Sequence, residues 1–307
     1  MTPCKVRALR QSSTIKRPLK SGDGMARGTP QLHAKGTRMP NSIDFKPQKN
    51  VNVLTLPFPR GRVIAIGDVH GCIVELEELL VKLDPGKDDL VVFLGDLVDR
   101  GDDSEAVVQR VKYIAALGMT HCVLGNHDEK CIRYHYHQLK TKEDPKYKVP
   151  MRCPGVYNEL SESSLEFLNS MPHAIFIDNK DTDKDIEDPY PIICVHAGLA
   201  PSLFNQPMNA FIRNRYFTRN VKDNKLTPVK GVEIDDVWFV PEGSYPWHHF
   251  WDGRWTVVYG HSVNYAPLVE NNTISCDGGC CFGGVLRAWV KEPGKSSYFV
   301  DIPSKQR

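Results

Sequence analysis

The chain has 307 residues, 41% hydrophobic and 25% charged, ordinary proportions for a globular protein with one large domain and an appendage. Net charge is only +2, which excludes a molecule that binds polyanions by bulk charge, but the charge is unevenly placed. Residues 1–50 hold eleven Lys or Arg against two acids, Asp23 and Asp44, and leave the remainder at −7.

Residues 1–50 are rich in Ser, Gly, Pro, Lys and Arg and show no apolar periodicity. Such a segment cannot bury enough surface to offset its conformational entropy, so a disordered basic arm is expected. Its acid-poor composition also admits a mitochondrial transit peptide, although its prolines and glycines oppose the amphipathic helix required. The N-terminus lacks an apolar signal core. Nine cysteines, odd in number and irregularly spaced, suit free thiols in a reducing compartment, the cytoplasm. No apolar run approaches the roughly 20 residues that cross a bilayer.

From Val51 onward, short apolar runs alternate with helical patterns. Strands are expected at 63–66, 90–94 and 122–124, with helices at 74–83 and 105–117 between them. That alternation predicts a βαβαβ unit with parallel strands. Residues 129–190 read as helices and loops, with an acidic loop at 178–188. Further strands are expected at 192–195, 256–259, 285–290 and 298–300. The fold class is α/β, a single catalytic domain over 51–307.

Five of these strands are each followed by a metal-capable residue beside a glycine. The five sites are Gly67-Asp68-Val69-His70-Gly71, Gly95-Asp96 through Asp99-Arg100-Gly101, Gly125-Asn126-His127-Asp128, His196-Ala197-Gly198 and Gly260-His261. In open α/β sheets ligands bind beyond the carboxyl ends of the strands, so these residues should converge. One such residue is ordinarily a cap or a satisfied polar group; five in register with the strands are not. Asp, His and Asn without thiolate suit Mn, Fe, Zn or Co. Two ions about 3.5–4 Å apart can clamp the attacking and leaving oxygens of phosphoryl transfer, with Asp96, central among the motifs, as the shared carboxylate. Arg100 is placed to grip phosphate oxygens.

This series of motifs, over roughly residues 61–290, resembles the phosphoprotein phosphatase superfamily of calcineurin-like metallophosphoesterases. The resemblance implies a β-sandwich flanked by helices and two divalent or trivalent ions. One ion would take Asp68, His70 and Asp96; the other would take Asp96, Asn126, His196 and His261. His127, oriented by Asp99, would be the general acid, and Arg100 would bind phosphate. Attack by a metal-bridging hydroxide, with no phosphoenzyme, is implied. Three details are similar to the ApaH-like branch. Leu124 stands where eukaryotic protein phosphatases typically carry Arg; 209–216 bears two arginines; and Cys276-Asp277-Gly278-Gly279-Cys280-Cys281-Phe282-Gly283-Gly284 is close to a C-terminal element of that branch. Asp99 departs from bacterial members, which often lack it.

Arg213, Arg215 and Arg254 are candidates for reading further phosphates. The aromatic run Trp238, Phe239, Tyr245, Trp247, Trp251 and Trp255 offers base stacking, with core packing the expectation for most of it. Cys280 and Cys281 read as buried structural thiols, His248 and His249 as surface residues, and 140–148 as a solvated loop. Three functions remain open. The first is a pyrophosphohydrolase of dinucleoside polyphosphates, capped RNA or polyphosphate. The second is a Ser/Thr phosphatase of phosphoproteins. The third is a catalytically dead module that keeps the fold to bind phosphorylated or nucleic-acid ligands.

Overall fold

The stretch Val63–Ile66 is buried at all four positions, so both faces of this strand are covered. Val63 and Ala65 enter an apolar cluster with Ile175, Ile192, Val258 and Trp289. Ile64 and Ile66 enter another with Leu76, Leu79, Val107 and Ile132. Side chains alternate across a strand, so one face meets a second sheet and the other meets helices.

The computed structural model describes residues 51–306 apart from 179–190, 200–207, 224, 230–231, 235–236, 240–241 and 254. The basic arm at 1–50, most of the acidic loop and Arg254 lie outside the described residues. In chain order the elements begin with β1 (Val53–Leu56), β2 (Val63–Ile66), α1 (Ile73–Leu83), β3 (Leu90–Phe93), α2 (Ser104–Ala116) and β4 (Thr120–Cys122). Then come α3 (Asn126–Glu143), α4 (Glu162–Ser170), β5 (Ala174–Ile177), β6 (Ile192–Val195) and α5 (Met208–Arg213). Short strands follow: β7 (Tyr216–Arg219), β8 (Leu226–Val229), β9 (Val232–Ile234), β10 (Val237–Phe239) and β11 (Ser244–Pro246). The chain closes with β12 (Thr256–Tyr259), β13 (Leu268–Glu270), β14 (Thr273–Ser275), β15 (Val285–Lys291) and β16 (Tyr298–Pro303).

Of the two large sheets, one runs β16-β15-β2-β3-β4 and the second β1-β5-β6-β12-β14-β13, while β10-β9 and β11-β7-β8 form small separate sheets. The β2-α1-β3-α2-β4 segment is the expected unit, with β2-β3 and β3-β4 parallel. Helix α1 buries Leu76, Leu79, Leu80 and Leu83, a stripe at helical spacing, and Asp84 ends it in a left-handed turn. Asp103 caps α2 by accepting from the Ala106 N–H at 2.8 Å, worth about 1 kcal/mol.

Several elements differ from expectation. The third strand ends at Cys122 rather than beginning there, because the Leu124 N–H is drawn out of the ladder to the Pro172 carbonyl at 2.7 Å. Strand β5 lies inside a segment read as helix and loop, and it pairs with the distant β1. Helix α3 continues to Glu143, so Lys140 and Lys142 occupy its last turn rather than a loop. Cations there complement the helix dipole. His248 is half-buried, with Nδ1 3.2 Å from Glu270, rather than free on the surface.

The outer face of the second sheet packs Ile193, Val195, Val257 and Tyr259 against Phe211, Trp247 and Trp251. Trp247 and Trp251 are therefore core, as expected for most of the aromatic run, and the Trp255 ring packs against Phe176. The side chains of Trp238 and Phe239 lie outside the described residues. Cys280 is buried and Cys281 half-buried, and the eight described cysteines are all free thiols.

Candidate metal centre and active site

Strands β2, β3, β4, β6 and β12 each deliver a candidate residue just past their carboxyl ends. The delivery requires unusual backbone. His70, Asp96, Asp99, Arg100 and His261 all adopt positive φ, between 47° and 79°. Non-glycine residues rarely hold that conformation, which persists where the surroundings over-determine it and clusters at functional sites. Two glycines are needed for close approach. A Cβ on Gly125 would stand 2.1 Å from the Asp96 nitrogen, and one on Gly260 would stand 2.0 Å from the Asp68 carboxylate.

Asp96 is the hub. Its Oδ2 lies 3.6 Å from His70 Nε2 and 3.3 Å from His196 Nε2, and its Oδ1 accepts the His127 main-chain N–H at 2.8 Å. Asn126 Oδ1 is 3.0 Å from His196 Nε2. The Asp68 carboxylate accepts the His261 main-chain N–H at 3.0 Å. Two groups of potential ligand atoms share Asp96: His70 and His127 on one side, His196 and His261 on the other.

The imidazoles are held from behind. His70 Nδ1 meets the Val98 carbonyl at 2.9 Å and His196 Nδ1 meets the Leu94 carbonyl at 2.8 Å, leaving both Nε2 atoms toward Asp96. This arrangement fixes ring and tautomer in metal sites. His127 differs, because its Nδ1 faces the Asp99 carboxylate at 2.7 Å.

Electrostatics favour cations here. Asp68, Asp96, Asp128 and Asp277 are all buried. Burial and neighbouring Asp277 push the Asp68 carboxyl well up. Burial and Asp96 push Asp128 up to about 6. Burial would raise Asp96 too, but His196, His127 and His70 hold it well below the usual carboxylate range. Burial lowers His70 to about 4 and, with Arg215, lowers His261 well below its ordinary value. Against its burial, Asp96 and Asp68 raise His196 to about 9. Crowded buried acids beside the His70 and His261 imidazoles, both held neutral, are relieved by positive charge. The oxygen and nitrogen donors, free of thiolate, therefore fit divalent ions.

The remaining candidates separate. Arg100 and Arg215 line the cleft beside Asp96, and Arg215 donates to the His261 carbonyl at 2.6 Å. The Arg213 guanidinium is instead paired with Glu129 and lies outside the cleft lining. Its main chain serves the site, through a hydrogen bond to the His261 ring.

Two residues without an expected role belong to the centre. Asp128 accepts main-chain N–H groups of Leu97 and Gly125, both at 3.0 Å, and so ties the Asp96 loop to the start of α3. Asp277 lines the cleft just past β14. Its sequence signal is weaker than the others, since it stands beside Gly278 but follows Thr273-Ile274-Ser275, a strand with one apolar residue.

A family model described as calcineurin-like phosphoesterase matches residues 61–296. The chain belongs to the calcineurin-like phosphoesterases. It is a metal-dependent phosphoesterase, and the dead-module reading falls away. This phosphoesterase is 28% identical over 263 residues to bis(5'-nucleosyl)-tetraphosphatase PrpE, asymmetrical type, of Oceanobacillus iheyensis, covering 80% of this chain and 93% of the relative. The Bacillus subtilis protein of the same name is 30% identical, with 72% and 87% covered. A symmetrical bis(5'-nucleosyl)-tetraphosphatase of Edwardsiella ictaluri is 27% identical, with 79% and 96% covered. A crystal structure assigned as a diadenosine tetraphosphatase superposes with TM-score 0.60 at 28% identity, covering 83% of this chain and 98% of that one. These similarities place the phosphoesterase beside ApaH-type and PrpE-type tetraphosphatases. No helix among the described residues is long and apolar enough to cross a membrane.

Proposed function

We propose that this phosphoesterase hydrolyses phosphoanhydride bonds in dinucleoside polyphosphates, with cap-like RNA ends and polyphosphate as related substrates. The observation that carries the reading is Asp96, shared between two groups of largely buried oxygen and nitrogen donors in a chain similar to tetraphosphatases along most of its length.

Asp68, His70 and Asp96 would hold one ion, and Asp96, Asn126, His196 and His261 the other. When bound, the ions supply Lewis-acid charge against the phosphoryl oxygens and a hydroxide nucleophile near neutral pH. Arg100 and Arg215 bind the non-reacting phosphate oxygens and orient the chain of phosphates. His127 Nε2 gives a proton to the leaving oxygen, and Asp99 holds the imidazole from Nδ1. The His127 hydrogen bond pulls the Asp99 carboxyl down to about 2, so it stays ionised at working pH. The cytoplasm is the compartment we assign, in keeping with eight free thiols.

The Asp99–His127 pair favours a second reading, a Ser/Thr protein phosphatase, because an alkoxide leaves less readily than a phosphate and gains more from a poised acid. The test is turnover of diadenosine tetraphosphate, capped RNA, long polyphosphate and a phosphopeptide mixture, side by side with Mn, Co, Zn or Mg. Preference for the anhydrides supports the proposal; preference for phosphopeptides transfers it to the second reading.

A further inference from the structure

The cleft beside Asp96 has a volume of about 120 Å³. That is well below the roughly 300–1,000 Å³ of a pocket for a whole small molecule. A nucleotide whose phosphate reaches the centre must leave its nucleoside on the rim. One side of that rim is apolar. Val263, Tyr265 and Phe282 expose 38%, 65% and 45% of their surfaces. Val263 and Phe282 line the cleft itself, and the Arg100 guanidinium stacks 4.6 Å from the Phe282 ring centre. Single exposed apolar residues are ordinary, but three gathered at the mouth of a phosphate cleft mark a binding surface.

These side chains are also held in place. Arg287, only 1% exposed, donates to the carbonyls of Asn264 at 2.9 Å and Tyr265 at 3.1 Å while pairing with Asp301. The Asn264 N–H reaches the Asp277 carbonyl at 2.8 Å, which joins the loop after His261 to the loop after Asp277. The second loop closes on itself, with the Phe282 and Gly284 N–H groups both reaching the Gly279 carbonyl. Tyr265 lies across it, so close that a Cβ on Gly284 would stand 3.1 Å from its ring. A buried guanidinium is thus committed to the carbonyls of a loop whose side chains face solvent. Preorganisation of that kind lowers the entropy lost when a ligand docks.

We infer that Val263, Tyr265 and Phe282 form a platform for the nucleobase of the substrate, so that the site takes nucleotide-terminated polyphosphates in preference to bare polyphosphate. The inference rests on the phosphoanhydride reading above. Aromatic rings offer a stacking face to any base, so the platform selects for a base rather than for one particular base. It differs from the aromatic run at 238–255, whose Trp247 and Trp251 are core.

The test compares kcat/KM for diadenosine tetraphosphate and inorganic tripolyphosphate in the metal-loaded full chain, in Phe282→Ala, Tyr265→Ala and Phe282→Trp. A folding defect lowers both activities together, so their ratio reports the platform. The alanine variants should lose about 5- to 100-fold more on the dinucleotide than on tripolyphosphate, mainly through KM, and Phe282→Trp should restore the ratio. An unchanged ratio in both alanine variants overturns the inference, because Phe282 then serves only to position Arg100. Wild-type protein that cleaves tripolyphosphate but no dinucleotide also overturns it. Wild-type protein that cleaves neither defeats the phosphoanhydride reading itself.

Discussion

His127 turns its Nδ1 toward the Asp99 carboxylate at 2.7 Å, whereas His70, whose ring centre is 4.8 Å away, turns its Nδ1 to the Val98 carbonyl. Two neighbouring imidazoles are therefore prepared for different work. The carbonyl partner suits a neutral ring that binds a cation, and the carboxylate partner suits a ring that carries a proton to the leaving group.

Replacement of His127 by Ala should accordingly slow the chemical step by about 10²–10⁴. The loss should be greatest for substrates with poor leaving groups, and Asp99→Asn should show the same trend more weakly. A leaving-group series under single-turnover conditions checks this. Equal losses across the series would remove the acid role.

Direct attack by solvent leaves an isotopic mark. Hydrolysis in labelled water should place one solvent oxygen in the phosphate-bearing product within a single turnover. Mass spectrometry of the products reads the outcome, and a trapped phosphohistidine would contradict it.

Arg213 and Arg215 sit two residues apart yet should behave differently. Arg215→Ala should raise KM for polyphosphate substrates about tenfold, because a charge-assisted contact to phosphate is lost. Arg213→Ala removes a partly exposed pair with Glu129 and should cost about 0–1 kcal/mol of stability, with KM little changed. Steady-state kinetics and urea unfolding of the two variants distinguish these effects.

Asp89 anchors the start of β2. Its carboxylate accepts from the Arg62 main chain at 2.6 Å, the Arg62 guanidinium at 2.6 Å and the Gly86 N–H at 2.8 Å. Burial would raise this carboxyl, but the Arg62 hydrogen bonds win and hold it below its ordinary value. A carboxyl depressed in the folded state contributes stability above its unfolded pKa of about 3.9, and that stability is lost as pH falls through the folded value. Asp89→Asn should cost about 1–3 kcal/mol at pH 7 and progressively less below pH 4. Urea unfolding across pH measures the difference, and a constant penalty at every pH would contradict the assignment.

The β2-α1-β3-α2-β4 unit was legible because its signals are local. Each strand is a short apolar run, each helix has one apolar stripe, and parallel pairing follows from the alternation. The metal-centre candidates were legible for the same reason, since each lies just past a strand end. Features that depend on distant partners were not. Strand β5 has four apolar residues and pairs on one side with β6, the next strand, but its parallel partner on the other side, β1, is more than a hundred residues earlier. Arg213 and Arg215 look alike in sequence, and only the position of Glu129 on α3 separates them. The apolar rim was not legible because Val263 and Tyr265 come from one loop and Phe282 from another, joined through the Asn264 N–H and the Asp277 carbonyl.

The most direct test of the account is metal content and activity measured together in wild-type protein and in Asp96→Asn. A carboxylate shared by two ions predicts about two ions per wild-type chain. The variant should lose tight binding at both positions and lose hydrolysis of diadenosine tetraphosphate, while its circular dichroism and melting stay native. A variant that keeps both ions or full turnover would contradict the central role of Asp96, and with it the dinuclear centre drawn around that residue.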